Sequence, residues 1–391
     1  MLNPTDPTAA RAAETRAFAK GGVLLVGPLP AEPLVGGVEV GVSMLLKSTV
    51  AAQQRMQLFN TARTRDPSRS LRERLVFQFG AFARFTRLLL RLWPRIVHVK
   101  ASWGGVNFSQ SIGYCLVARV FGRRVLVQLH GGAFDTWYEC MPASARLLVR
   151  FGLRRASEIV VLSEYWRELI QRLAPGAIVH VVPNGVELDR ARPPASTATL
   201  PLKAVSIGTV GQRKGHFTIV EAAAQLRDVP VQFLFAGPQE DAQTGARLRA
   251  RIDELGVGDS IVFLGPVGRD QKWQLLAQTD IFLLPSYGEN LPNSALEAMA
   301  ASLPIVCTTV GALPEMLEPD SNAIFMQPGD VAALAQAVRN LAADADRRAA
   351  MGRRNRAAVE ANYSFERTAA LFGELYDRRG RFGEPGARGR P

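Results

Sequence analysis

The stretch "IFLLPSYGENLPNSALEAMA", residues 281–300, decides how this chain is to be read. It opens on an apolar run without polar alternation, the pattern of a strand buried on both faces of a parallel sheet. It closes on "NSALEAMA", a helical pattern whose first turn suits Pro292, because the N–H that proline lacks would be unbonded there anyway. A strand that hands over directly to a helix is half of a βαβ unit. Two glutamates bracket the handover, Glu289 in the loop and Glu297 near the helix start, with seven residues between them.

The same rhythm runs outward in both directions. In the first half, short apolar and β-branched runs fall at residues 22–28, 95–101, 124–130, 158–163 and 177–184. In the second they fall at 203–209, 231–237, 260–265, 280–286, 304–309 and 322–327. Helical patterns such as "GHFTIVEAAAQLRD" and "VAALAQAVRNLAAD" lie between most of them. This alternation predicts an α/β protein whose parallel sheets are covered by helices on both faces. The rhythm pauses once, in a Pro/Ala/Thr-rich segment that reads as a linker, residues 191–201. Two doubly wound Rossmann-like domains, 21–190 and 202–362, are therefore expected to face each other across a cleft. Residues 1–20 read as a flexible polar lead-in and 378–391 as a flexible basic tail.

Composition narrows the function classes. A 391-residue chain that is 47% hydrophobic has material for two cores. Its three cysteines, Cys115, Cys140 and Cys307, are odd in number and far apart, so a disulfide framework or a C-x-x-C metal site is not expected and a reducing compartment fits. No run of 18 apolar residues suggests a transmembrane helix. The net charge of +12 is unevenly spread, with 26 Lys+Arg against 13 Asp+Glu in residues 1–195 and 21 against 22 in the remainder. A basic first half suits a membrane surface, an anionic substrate or nucleic acid. No nucleic-acid-binding module accompanies it, and nucleic acid is set aside. Within residues 71–95, Arg84, Arg87, Arg91 and Arg95 fall at helical spacing beside Phe82, Phe85, Leu88, Leu89 and Leu92. Such a helix suits anionic lipid headgroups or an acceptor diphosphate, the alternative being a solvated stripe over a core face.

Ligands of open parallel sheets bind beyond the carboxyl ends of the strands, where helix starts offer free N–H groups. At the opening stretch those groups belong to Leu291, Asn293 and Ser294, and they suit a phosphate. Glu289 and Glu297 can accept hydrogen bonds from hydroxyls on either side of it. A nucleotide sugar has that layout of ribose, diphosphate and sugar. A glycosidase pair is disfavoured, since eight helical residues separate the carboxylates by about 12 Å where about 5–10 Å is needed. A second strand–turn–helix, "SIGTVGQRKGHFTIVEA" (206–222), puts Arg213 and Lys214 ahead of a helix, where cations can neutralise a leaving diphosphate. It contains neither a P-loop nor a dinucleotide fingerprint. In "PLVGGVEV" (33–40), Gly36 and Gly37 let backbone approach a phosphate with no Cβ in the way. His130 ends a strand in "VQLHGGAFD", while His98, His180 and His216 read as structural.

Taken in order, these motifs resemble the family 4 retaining glycosyltransferases of the GT-B fold, over roughly residues 21–376. The resemblance rests on E-x7-E after a strand ending "PS", the "PN" and "LEAMA" that follow, the "HG" at His130, and the closing "YSFERTAALFGELY". It implies that Glu297 binds ribose and Glu289 the donor sugar, that the Gly36–Gly37 loop reaches the diphosphate, and that His130 lies beside sugar and acceptor. It also implies a nucleobase border at "FLGPVGRDQKW", with Val267 and Lys272, and a helix at 363–377 crossing back to the first domain. One position departs from the pattern: Thr209 follows Gly208 where the family has arginine, although Lys214 and Gly215 match. Arg213 is expected to supply the missing charge. The implied activity moves a hexose from a UDP- or GDP-sugar to a hydroxyl, with retention, without metal or cofactor. The expected acceptor is a lipid-linked saccharide of polysaccharide assembly, met at the inner face of the cytoplasmic membrane. A non-hydrolysing nucleotide-sugar epimerase and a catalytically silent nucleotide-sugar-binding assembly protein remain the rival readings.

Overall fold

A computed structural model describes residues 21–29, 37–62, 71–102, 105–132, 134–193 and 200–378. Gly36, residues 1–20, the middle of the linker and residues 379–391 lie outside them. The first sheet is built from β1 (Val23–Gly27), β2 (Gln57–Asn60), β3 (Ile96–Ser102), β4 (Arg124–His130), β5 (Glu158–Val161) and β6 (Val179–Val181). The second contains β7 (Leu202–Ile207), β8 (Val231–Ala236), β9 (Ile261–Gly265), β10 (Ile281–Leu284), β11 (Ile305–Thr308) and β12 (Ala323–Met326). Their spatial orders are β2-β1-β3-β4-β5-β6 and β12-β11-β10-β7-β8-β9, and every described pairing is parallel. These are the two doubly wound sheets of a GT-B fold.

Period-two alternation explains why the central strands are apolar throughout. Phe282 and Leu284 of β10 enter one core of the second sheet, while Ile281 and Leu283 enter the core on its other face. Leu24 and Val26 of β1 are likewise separated from Val23 and Leu25. The strand that the sequence did not announce is β2. It has four residues at a sheet edge and buries only Phe59, too short a run to show alternation.

Order along the sheets reverses between β1 and β3 and between β7 and β10. Loops leaving such neighbouring strands diverge to opposite faces and open a crevice at the carboxyl ends. Helix Phe365–Asp377 returns to the first sheet, where Phe372, Leu375 and Tyr376 join Leu25, Leu126 and Val160 in one core. The Tyr376 hydroxyl lies 2.7 Å from His98 Nδ1, and Arg124 donates to the Leu375 carbonyl at 2.9 Å. Arg124 also forks onto Glu158, whose second oxygen meets His180 Nε2 at 2.7 Å. Burial alone would raise the Glu158 carboxyl, but His180 and Arg124 outweigh it and hold the pKa at about 2. His98 and His180 are thereby engaged in structural bonds, and His216 is buried against the Gly211 backbone.

The basic helix spans Leu71–Leu92, with Phe85, Leu89 and Leu92 buried and Arg84, Arg87 and Arg91 exposed. Arg95 is not part of its stripe. It lies beyond the helix end and donates to Gln54 Oε1 at 2.7 Å, so helical spacing does not apply to it.

Candidate active site

The loops after β7 and β10 meet at the reversal point of the second sheet, and two ion pairs form there. Lys214 Nζ lies 2.6 Å from Glu289 Oε1, and both side chains are nearly buried. Lys272 pairs with Glu297 on the other side of the helix start. Each sequence carboxylate therefore faces a lysine also expected in the site. Between the pairs begins helix Asn293–Ala300. Pro292 is its N-cap rather than its first helical residue, with extended backbone (ψ 120°), and its carbonyl accepts from Ala295 and Leu296. The first helical N–H groups thus belong to Asn293 and Ser294.

Arg213 reaches the same cleft by a different route. Its Nη1 donates to the Gly288 carbonyl at 3.2 Å, and its own carbonyl accepts from Tyr287 N at 2.8 Å. The residue therefore braces the Glu289 loop as well as lining the cavity. Thr209, two residues beyond the end of β7, lines it too.

The first domain supplies the opposite wall. Gly37 is the first residue of helix Gly37–Lys47 rather than part of a loop. A Cβ there would lie 3.1 Å from Asn293 Nδ2, so backbone does approach the helix start across the cleft. Gly132 comes closer still: a Cβ would stand 2.7 Å from Glu289 Cα, and only glycine allows that approach. Asn184 donates to the Leu291 carbonyl at 3.1 Å. His130, 5% exposed at the end of β4, has no partner for Nε2 among the described residues. Burial, and then the neighbouring Lys100 and His98 charges, hold its pKa well below the usual imidazole value, so the ring is neutral at pH 7.

The resulting cavity holds about 340 Å³. His130, Gly37, Thr209, Arg213, Lys214, Val267, Lys272, Glu289, Leu291, Asn293, Ser294 and Glu297 all line it, which brings together every sequence-derived site residue that the structure describes. It continues into a recess of about 610 Å³ between Val40 and Met44 of the first domain and Val267, Lys272 and Glu297 of the second. The side-chain oxygens of Asn290 and Asn293 are buried without hydrogen-bond partners among the described residues. Buried polar atoms left unbonded are costly, so orphans clustered in a cleft point to a ligand.

Asn184, Asn290, Gly132 and Lys100 escaped the sequence reading. Asn184 falls in "VVPNGVE", which resembles only the turn that closes the first domain. Lys100 had a visible signal, a lysine inside the apolar run "RIVHVKA".

Residues 190–358 match the family model for glycosyl transferases group 1, and residues 36–185 match a glycosyl transferase 4-like domain. The chain is 31% identical over 212 residues to a 2-deoxystreptamine glucosyltransferase of Streptomyces kanamyceticus, covering 50% of this chain and 54% of that protein. It is 28% identical over 280 residues to a GDP-mannose-dependent alpha-(1-6)-phosphatidylinositol monomannoside mannosyltransferase of Mycobacterium tuberculosis, covering 66% and 71%. The matched stretch thus spans about half the length of the first of these relatives. Among solved structures, Anabaena HepE in complex with UDP and glucose superposes with a TM-score of 0.72 at 16% identity, over 91% of this chain and 99% of that one.

Proposed function

Because the chain belongs to the GT-B glycosyltransferases of family 4, we propose that it transfers a hexose from a UDP- or GDP-sugar to a hydroxyl of a lipid-linked saccharide, with retention of configuration. The observation that carries this reading is the pair of lysine–glutamate contacts flanking the start of helix Asn293–Ala300 at the reversal point of the second sheet. The names of two matched proteins, one GDP-mannose-dependent and one bound to UDP, support a nucleotide-sugar donor.

The roles follow from position. Glu297, oriented by Lys272, accepts from the ribose hydroxyls, and Val267 borders the base. The helix-start N–H groups, Lys214 and Arg213 meet the diphosphate, where negative charge grows as the sugar leaves. Glu289 accepts from donor sugar hydroxyls. Its Oε1 already receives the Lys214 ammonium, which makes the carboxylate a poor nucleophile. That suits attack by the acceptor hydroxyl on the same face from which the diphosphate departs, with no covalent intermediate and no metal. Neutral His130 offers its Nε2 as a hydrogen-bonding group beside sugar and acceptor.

Thermal-shift measurements with UDP, GDP and ADP test the donor site. One nucleotide should raise Tm by mass action, and Glu297→Ala should weaken it by roughly 1 to 3 kcal/mol, the range for hydrogen bonds to a charged group. Equal shifts in parent and folded variant would remove the ribose assignment. Turnover separates the rivals: an epimerase converts the sugar without acceptor, and a silent binding protein converts nothing.

The acceptor's anchoring is inferred from an exposed face of the first domain. Helices Leu71–Leu92, Gly105–Val120 and Ala143–Arg155 pack side by side, Phe82 against Gly113 and Ile112 against Gly152. Their outer sides expose Phe79 at 73%, Val120 at 83% and Leu148 at 72%, among arginines. No helix of the described residues is long and apolar enough to cross a membrane. Apolar tips within a basic field suit reversible contact with anionic lipid, each basic residue near the surface contributing about 1 kcal/mol. Vesicles containing phosphatidylserine should sediment the protein at low salt and release it at high salt. Charge reversal at Arg84 and Arg87 should abolish that without altering nucleotide binding. Equal sedimentation with neutral vesicles would refute the electrostatic part.

A further inference from the structure

At the reversal point of the first sheet, a cavity of about 430 Å³ opens at the carboxyl ends of β1 and β3. Gly37 and Val38 line both it and the donor cavity, so the two are neighbours. One wall is helix Gly105–Val120, where Asn107, Gln110, Ser111 and Tyr114 fall at i, i+3, i+4 and i+7, the spacing of one helix face. A helix face turned inward is normally apolar, as this helix is at Cys115 and Ala118. Here it offers amides and hydroxyls instead, and the Tyr114 hydroxyl accepts from Gln110 Nε2 at 2.6 Å. Ser102 adds a hydroxyl from the end of β3. A second wall is the first turn of helix Gly37–Lys47, where Glu39 lies half-buried. No cation or hydrogen-bond donor meets its carboxylate among the described residues. Lys100 also lines the cavity, but its Nζ lies over the Phe372 ring of the crossover helix, 5.2 Å from the centroid.

We propose that this cavity seats a sugar ring of the acceptor and that Glu39 sorts such rings by charge. The amides of Asn107 and Gln110 both donate and accept, which suits the hydroxyls of a polyol. The Glu39 carboxylate only accepts, so the substituent beside it has to bring donors, either hydroxyls or an ammonium. A uronate or a phosphorylated sugar would set like charges together with no cation between them, and is refused. The acceptor's terminal unit is therefore a neutral or an amino sugar. That the bound ring is the acceptor rests on the transferase reading; the selection by charge does not. Glu39 also stands where an acid complements the helix dipole, a role that would register in Tm and leave sugar selectivity untouched.

Three glycosides test the selection: methyl glucoside, its 6-amino-6-deoxy analogue and its uronate, which share a ring and differ in charge at carbon 6. In saturation-transfer NMR titrations at pH 7, the full chain should bind the first two and hold the uronate more weakly than the neutral glycoside by about tenfold or more. Glu39→Gln, nearly the same shape without the charge, should bring the three affinities together at an almost unchanged Tm. Glu39→Lys should invert their order. Ser111→Phe, which fills the cavity, should abolish binding of all three while its Tm reports that it is folded. The parental selectivity in Glu39→Gln, equal affinity of the parent for uronate and neutral glycoside, or binding that survives in Ser111→Phe overturns the proposal. So does a parent that binds none of the three. No donor or turnover enters these titrations, so they stand apart from any failure of the transferase assignment.

Discussion

Lys214→Ala is expected to lower kcat by about 10² to 10³, with a smaller change in donor KM, as for other preorganised groups that meet charge in the transition state. The structure adds a second consequence. Lys214 is 9% exposed and paired with Glu289, which is 6% exposed. Removing one partner of a buried pair leaves the other charge uncompensated, a loss of about 3 to 5 kcal/mol. Stability and rate are separated by Lys214→Gln, which keeps a donor for Glu289 but carries no charge; its rate should fall nearly as far while its Tm falls less. Arg213→Ala serves as the companion. Arg213 would both face the diphosphate and hold the Gly288 carbonyl, so its loss should lower kcat and weaken donor binding together. Lys214→Gln with parental kcat would remove Lys214 from the chemistry.

Gly311→Ala is expected to reduce turnover about 100-fold, although residue 311 does not line the donor cavity. Its φ of +59° lies in the left-handed region, which costs other residues about 1 to 2 kcal/mol. An added Cβ would stand 2.1 Å from the Glu289 carbonyl oxygen and 3.0 Å from that of Asn290. Both atoms are backbone, so the loop carrying Glu289 has to move, and a displacement near 1 Å in a positioning group can cost 10²-fold. A Tm drop with parental kcat in the folded fraction would show that the loop tolerates the shift.

The sequence makes the repeating units legible because buried parallel strands and their helices carry strong periodicity. Glu289, Glu297 and Lys214 were legible for a related reason: each lies near a strand end or helix start, where local spacing fixes direction, whereas Lys272 came only from the family resemblance. What escaped depends on contacts between distant segments. Gly132 touches the Glu289 backbone, and Asn184 reaches the Leu291 carbonyl, but nothing local to residues 132 or 184 announces those partners. Pro292 fitted either of two adjacent helix positions, and only the backbone angle distinguishes them. Arg95 matched a helical period that had already ended at Leu92.

The crossover helix also bears on the order in which the molecule can be made. Leu25, Leu126 and Val160 belong to the half of the chain that leaves the ribosome first, yet Phe372, Leu375 and Tyr376, which complete their core, come about 190 residues after Val186. At roughly 5 to 20 residues per second, the nascent first domain waits about 10 to 40 s with that apolar face open. The second domain has every strand of its sheet by Met326, and the helices that bring Leu334, Val338, Met351 and Val359 into its cores end at Asn362, before the crossover helix begins. Synthesis therefore begins one domain, finishes the other, and only then closes the first, which leaves chaperones a defined interval in which to hold the unfinished half.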